Sequence, residues 1–219
     1  MQTSDYISKD VKALSPNDTI NKAQKLFEHL TFTHLPIVED NIYVGSISET
    51  DVQIIEDDDK KIADFKYLYN TFFSFENTNW FELLKEFAVN DTSILPAIND
   101  KKKYVGYYEL TDILHIFNNT PFLSETGVIL VISKHIKDYS FSEISQIIES
   151  NDGTLLGAFI SSIENEIVEI TIKLNDQDLN NTIQSFRRYE YTIITGIQED
   201  EYLNSLKERS DYLQKYLNM

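Results

Sequence analysis

The chain has 219 residues, 42% hydrophobic and 12% aromatic, with 36 acidic against 19 basic side chains and a formal charge of −17. Such a composition fills ordinary cores, and such a charge repels nucleic acid and anionic lipid while leaving room for a small anion held locally by backbone N–H groups. With no cysteine there is no disulfide, thiolate metal site or cysteine nucleophile, and with no run of roughly 18 apolar residues and no signal-like pattern in "MQTSDYISKD" the expectation is a cytoplasmic protein with neither membrane nor nucleic-acid partner.

The elements read in order. "VKAL" (11–14) is a short strand. Ile20, Ala23, Leu26-Phe27 and Leu30 recur at helical spacing behind Pro16, with Asp18 or Thr19 as cap. "HLPIV" and "YVGSI" around the polar "EDN" predict a hairpin, and Glu49-Thr50-Asp51 opens a second helix. "EDDD" (56–59) lacks the spaced ligands and central glycine of a calcium loop and reads as a solvated linker.

The same order then returns. "FFSF" (72–75) precedes a helix with Trp80, Leu83-Leu84 and Phe87-Ala88. "ILPAI" and "KYVGYY" form a second hairpin, followed by a helix through Ile113, Leu114, Ile116 and Phe117. Shifted by 60 residues, Ile20 meets Trp80, Phe27 meets Phe87, Leu35-Pro36 meets Leu95-Pro96, and Asp40 meets Asp100. One inserted residue makes the offset 61, so that Tyr43-Val44-Gly45 meets Tyr104-Val105-Gly106 and Thr50-Asp51 meets Thr111-Asp112. The in-order matches indicate an internal duplication of a β-α-β-β-α unit. A unit of about 50 residues buries too little alone, so the copies pack on each other, with a pseudo-two-fold placing Gly45 and Gly106 at equivalent strand-to-helix turns.

After "NNTPF" the grammar changes. "GVILVIS" (127–133) is a buried strand, and Ser140 with Glu143 fits a capping box ahead of Phe141, Ile144 and Ile147-Ile148. "TLLGAFISSI" (154–163) and "EIVEITIKL" (166–174) flank a turn at Glu164-Asn165. Asp176 caps a helix carrying Leu179, Ile183 and Phe186, and "YTIITGI" (191–197) closes a ferredoxin-like β-α-β-β-α-β order. Leu206 and Leu213 with Tyr202 and Tyr216 predict a last amphipathic helix. The fold class is α+β, in segments 1–59, 60–120, 126–198 and 199–219.

The β-α-β-β-α unit, with "LP" in the hairpin and G-x-x-[ST]-x-x-D at its end, resembles the CBS domain family; two in tandem resemble a CBS pair, or Bateman module, over residues 1–120. Residues 127–198 resemble an ACT-like domain, and the whole resembles the acetoin-utilisation type of regulatory protein. The resemblance implies an adenine nucleotide (AMP, ADP or ATP) in the cleft between copies, with Gly45, Ser48, Asp51, Gly106 and Asp112 as candidate site residues. Local chemistry agrees: Gly45 brings no Cβ, Ser48 offers a hydroxyl beside a helix start, and Asp51 accepts from ribose hydroxyls. Helix capping is the competing role for Ser48 and Asp51. In the second copy Glu109 stands where the first has Ser48, which sets a carboxylate against phosphate. The ACT-like loop "SKHIKDYSFSE" offers Asp138 but no glycine.

No metal spacing joins His29, His34, His115 and His135; His34, just before "LPIV", faces the inter-copy cleft. No nucleophile–base set, P-loop or dinucleotide fingerprint is present. The reading is a non-enzymatic, homo-oligomeric regulatory sensor with no firm cofactor. The alternative is a structural dimerisation protein with degenerate ligand sites.

Overall fold

The computed structural model describes residues 2–175 and 179–195. The chain divides at Asn118/Asn119 into two compact units.

In the first unit, α1 (Ile20–His29) starts where Thr19 Oγ1 accepts the Lys22 N–H, and its face of Ile20, Ala23 and Phe27 is buried. Strands β1 (His34–Glu39) and β2 (Ile42–Ser48) pair antiparallel. They are joined through Asp40 and Asn41, both at positive φ (49° and 65°), as a two-residue turn matched to strand twist requires. The short α2 (Glu49–Gln53) follows. The second copy repeats the order: β3 (Ser74–Phe75), α3 (Trp80–Asn90), β4 (Ile94–Ile98), β5 (Tyr104–Glu109) and α4 (Leu110–Asn118). The residue that changes the offset lies in the second hairpin loop, where Asn99 Oδ1 accepts from the Lys101 and Lys103 N–H groups and Lys102 sits at φ 58°. Of the two expected lead-in strands, "VKAL" contributes only a bridge from Leu14 to Ile37, and "FFSF" the two residues of β3.

The copies close on each other through reciprocal bonds. Thr33 N–H donates to Ser93 Oγ (3.0 Å) and Ser93 N–H to Thr33 Oγ1 (2.9 Å). At the far end Ile42 bridges its own counterpart, Lys103. Between these points each lead-in crosses to the other copy. Ser8 and Tyr107 exchange both backbone bonds (2.8 and 3.0 Å), and so do Ser46 and Asn70 (2.8 Å each). The core follows: Ile94 and Tyr107 of the second copy lie in one buried cluster with Leu14, Phe27, Leu35 and Ile47 of the first. The expected pseudo-two-fold is present in these matched bonds.

Gly45 and Gly106 are equivalent, but they do not lie at strand-to-helix turns. Both sit inside strands, opposite Ile37 and Ala97 and beside matching register shifts, because β2 and β5 run on to Ser48 and Glu109. Their φ values, 152° and 140°, disfavour any side chain. What approaches them is the other copy's lead-in: Tyr69 Cβ lies 3.0 Å from a Cβ built on Gly45, and one on Gly106 runs into the Ser8 carbonyl and the Ile7 side chain.

In the second unit a short α5 (Pro121–Ser124) precedes β6 (Val128–His135), α6 (Phe141–Glu149), β7 (Thr154–Glu164), β8 (Ile167–Asn175), α7 (Leu179–Arg188) and β9 (Thr192–Thr195). The sheet order β7-β8-β6-β9, antiparallel throughout, is the ferredoxin-like arrangement. Leu130, Ile132, Ile170, Ile172 and Leu174 pack against Ile144, Ile148, Ile183 and Phe186. The turn falls one residue later than the sequence suggests, at Asn165 and Glu166, both at positive φ. Only half of the capping box forms. Ser140 Oγ accepts the Glu143 N–H, but the Glu143 carboxylate bonds the Lys134 ammonium at 3.0 Å, and Ser140 N–H turns to the Tyr191 hydroxyl. An ammonium is the stronger donor for a carboxylate. The Asp176 cap, residues 196–197 of the last strand, and the 199–219 helix lie outside the described residues.

The glycine pair gives a direct test. Gly106→Ala drives a Cβ into backbone and is expected to cost roughly 2–4 kcal/mol, from left-handed strain plus overpacking. Gly45→Ala meets a side chain and costs less. Urea midpoints of the two variants check the order; equal losses would count against the crossed lead-ins.

Candidate functional site

The predicted residues of the first copy meet at the end of β2. Ser48 is buried and ends the strand as N-cap of α2. Its Oγ accepts the Asp51 N–H (3.1 Å), donates to Asp51 Oδ2 (2.5 Å) and lies 3.0 Å from Thr50 Oγ1. The capping role weighed from sequence is therefore present, and the Asp51 carboxylate is turned onto its own cap.

His34 stands opposite Ser48 on β1. Its Nδ1 is 3.0 Å from Thr33 Oγ1, and its ring meets Phe72 edge-on at 5.1 Å. Burial holds the imidazole below its ordinary pKa, and the Asp51 and Asp91 carboxylates pull it part of the way back. His34 thus lies at the seam with its electrostatic partners drawn from both copies. Phe72 and Asp91 were missed in the sequence. Asp91 is the left-handed C-cap of α3, a commonplace role that carries no functional signal.

The equivalent place in the second copy is chemically different. Glu109 ends β5 opposite Ile94, so an aliphatic side chain replaces the imidazole. Burial, then Asp112, then Asp10 hold the Glu109 carboxyl above its ordinary pKa. Three acidic groups repel phosphate, and no serine stands where the first copy has Ser48. Among the described residues no cluster of His, Asp and Glu is arranged to hold a metal ion.

A cavity of about 620 Å³ also opens on the seam, bordered by Lys9, Lys12, Ala13, Asp40 and Tyr104 among others. None of Gly45, Ser48, Asp51, Gly106 and Asp112 lines it. In the second unit, Asp138 lies in the turn after β6, 3.6 Å from His135 Nδ1.

Two measurements test this geometry. Ser48→Ala removes the α2 cap and is expected to cost roughly 0.5–2 kcal/mol in a urea melt. His34 is depressed in the folded state, so the unfolded chain binds its proton first. Stability is then whole above the ordinary imidazole pKa and falls as pH drops below it toward the folded value. His34→Gln is expected to flatten that fall between neutral and mildly acidic pH; an unchanged profile would show that His34 is not the group responsible.

Comparison with known proteins matches about half of the chain. Residues 4–54 match the CBS domain family. An inosine-5'-monophosphate dehydrogenase of Methanocaldococcus jannaschii is 32% identical over 111 residues, 50% of this chain and 22% of that protein. A CBS domain-containing protein of the same organism is 26% identical over 121 residues, 54% of this chain and 97% of that protein. The chain thus spans less than a quarter of the dehydrogenase and nearly all of the smaller relative. Among solved structures, a CBS domain pair/ACT domain protein of Thermotoga maritima aligns with a TM-score of 0.48 at 16% identity, over 53% of this chain and 96% of that one. CBSX2 in complex with AMP aligns with a TM-score of 0.45 at 18% identity, over 53% and 95%. The segment 4–54, with its hairpin and Ser48 cap, is the part of the chain that matches the CBS domain family.

Proposed function

We propose that the protein is a non-enzymatic regulatory sensor whose two copies, residues 1–59 and 60–120, form a CBS pair that takes an adenine nucleotide in the cleft between them. The observation that carries this reading is the meeting of Ser48, Asp51 and His34 of one copy with Phe72 and Asp91 of the other. A hydroxyl, a carboxylate and an imidazole at one seam, beside the Phe72 ring, are groups that suit phosphate, ribose and a base. Binding breaks the Ser48–Asp51 bond and frees both side chains for the ligand. In this reading Gly45 and Gly106 hold the crossed lead-ins against the cleft. Asp112 offers ribose contact in the second half, where Glu109 turns phosphate away. The match to the dehydrogenase covers too little of that protein to bring its activity here.

Within the second unit, residues 126–198 serve in this reading as an ACT-like relay or dimerisation domain. The sheet face away from α6 and α7 carries Ile129 and Phe159, each 47% exposed, with the Phe122 ring of α5 5.6 Å from Phe159. A second copy covering that face makes the protein a homodimer, and light scattering at moderate salt, where self-repulsion of the acidic chains is screened, is expected to report twice the chain mass.

The Ser48–Asp51 bond also favours the competing, purely structural reading, and one experiment separates the two. Calorimetric titration with AMP, ADP and ATP is expected to show binding that Asp51→Ala weakens by about 10- to 150-fold, the equivalent of one charge-assisted hydrogen bond. Glu109→Ser is expected to leave the first site unchanged. If Asp51→Ala lowers the melting temperature and leaves affinity untouched, or if the unmutated protein binds none of the three, the structural reading stands instead.

A further inference from the structure

The cavity beside Tyr104 has a pseudo-equivalent place beside Tyr43, and the two differ in sequence. In the second lead-in, Phe73 lies edge-on to Tyr43 of the first copy (6.2 Å, 68°), and Phe75 packs edge-on against Phe73 (5.9 Å, 88°). Sixty residues earlier, the counterparts of Phe73 and Phe75 are Ala13 and Ser15. Both line the cavity, together with Tyr104, the counterpart of Tyr43. Two phenyl rings are thus present on one side and missing on the other. The hydroxyls differ in the same sense. Tyr43 Oη donates to the Phe72 carbonyl (2.8 Å) and lies 2.9 Å from Ser46 Oγ, whereas Tyr104 Oη is buried with no hydrogen-bond partner.

What borders the vacancy sets its preference. Val11 and Val38 supply apolar wall, while Lys9 and Lys12 stand at its edge with no carboxylate paired to either among the described residues. On a chain of net charge −17, the opening holds two ammonium groups against one lining carboxylate, that of Asp40. They attract an anion that the rest of the surface repels.

We infer that this cavity binds a small aromatic anion: a planar ring takes the place over Tyr104 that Phe73 takes over Tyr43, and its carboxylate or phosphate group faces Lys9 and Lys12. The ring gains the edge-to-face contact already made on the other side. The site is separate from Ser48 and Asp51, and it does not depend on whether a nucleotide binds there.

The test is titration of the full chain with phenyl phosphate, followed by ligand-observed NMR, with inorganic phosphate and benzyl alcohol as probes of charge alone and ring alone. Phenyl phosphate is expected to bind more tightly than either. Ala13→Phe supplies the missing ring from the chain itself and is expected to weaken binding by roughly tenfold or more without lowering the melting temperature. Lys12→Ala is expected to weaken it by roughly two- to fivefold, as an exposed ion pair does. Asp51→Ala is expected to change nothing. If Ala13→Phe does not fold, Ser15→Phe and Lys12→Ala decide. Absence of phenyl phosphate binding at millimolar concentration overturns the inference, as does binding that survives filling of the cavity or that Asp51→Ala abolishes.

Discussion

The first unit depends on an exchange of backbone between its two copies. Ser8 bonds to Tyr107 of the second copy, and Asn70 to Ser46 of the first. Without the other copy's lead-in the β2 and β5 edges lack these bonds, and an unpaired strand edge in a buried place is costly. This exchange explains why Gly45 and Gly106 are glycines, why Ile94 and Tyr107 belong to the first copy's core, and why Phe72 reaches His34. The seam is a product of that exchange, and the chemistry of the candidate site is assembled on it.

Much of this was legible in the sequence, because duplication, hairpin grammar and helix periodicity are local patterns. Phe27 and Phe87, or Leu35 and Leu95, announce equivalent core positions sixty residues apart. What stayed hidden was the contact made across the copies. The glycines read as turn residues, because a Gly before a helix usually is one; only the approach of Tyr69 and Ser8 shows them to be strand positions under pressure. Asp91 looked like any helix terminus. Glu143 matched a capping box by spacing, yet Lys134, nine residues earlier, wins its carboxylate. Spacing along the chain records which groups are able to meet, and competition in space decides which do.

The two copies share a backbone plan and have parted in chemistry. Ser48 has Glu109 as its counterpart, His34 has Ile94, and Phe73 and Phe75 have Ala13 and Ser15. Each exchange sits where the copies meet, Ile94 within the core they share, whereas Phe27 and Phe87 remain the same. Duplication gives two equivalent frames, and divergence at their junction makes them serve different ends: one with a hydroxyl and an imidazole, the other with a cluster of carboxyls, while a hollow opens beside Tyr104 and Phe73 flanks its counterpart Tyr43. The charge distribution accents this difference, since two lysines border that hollow.

The crossed lead-ins also govern the order in which the unit can form. Ser8 and its partner Tyr107 are 99 residues apart in the chain. The first hairpin and α1 are complete in sequence long before that partner has been made. During synthesis the first copy therefore waits, with the face that Ile94 and Tyr107 will cover still open. Closing a loop of that length is slow, so non-local topology rather than local helix strength is expected to set the folding rate. A fragment cut between the copies keeps every local signal yet lacks its edge partner, and the waiting face is where such a fragment is expected to aggregate.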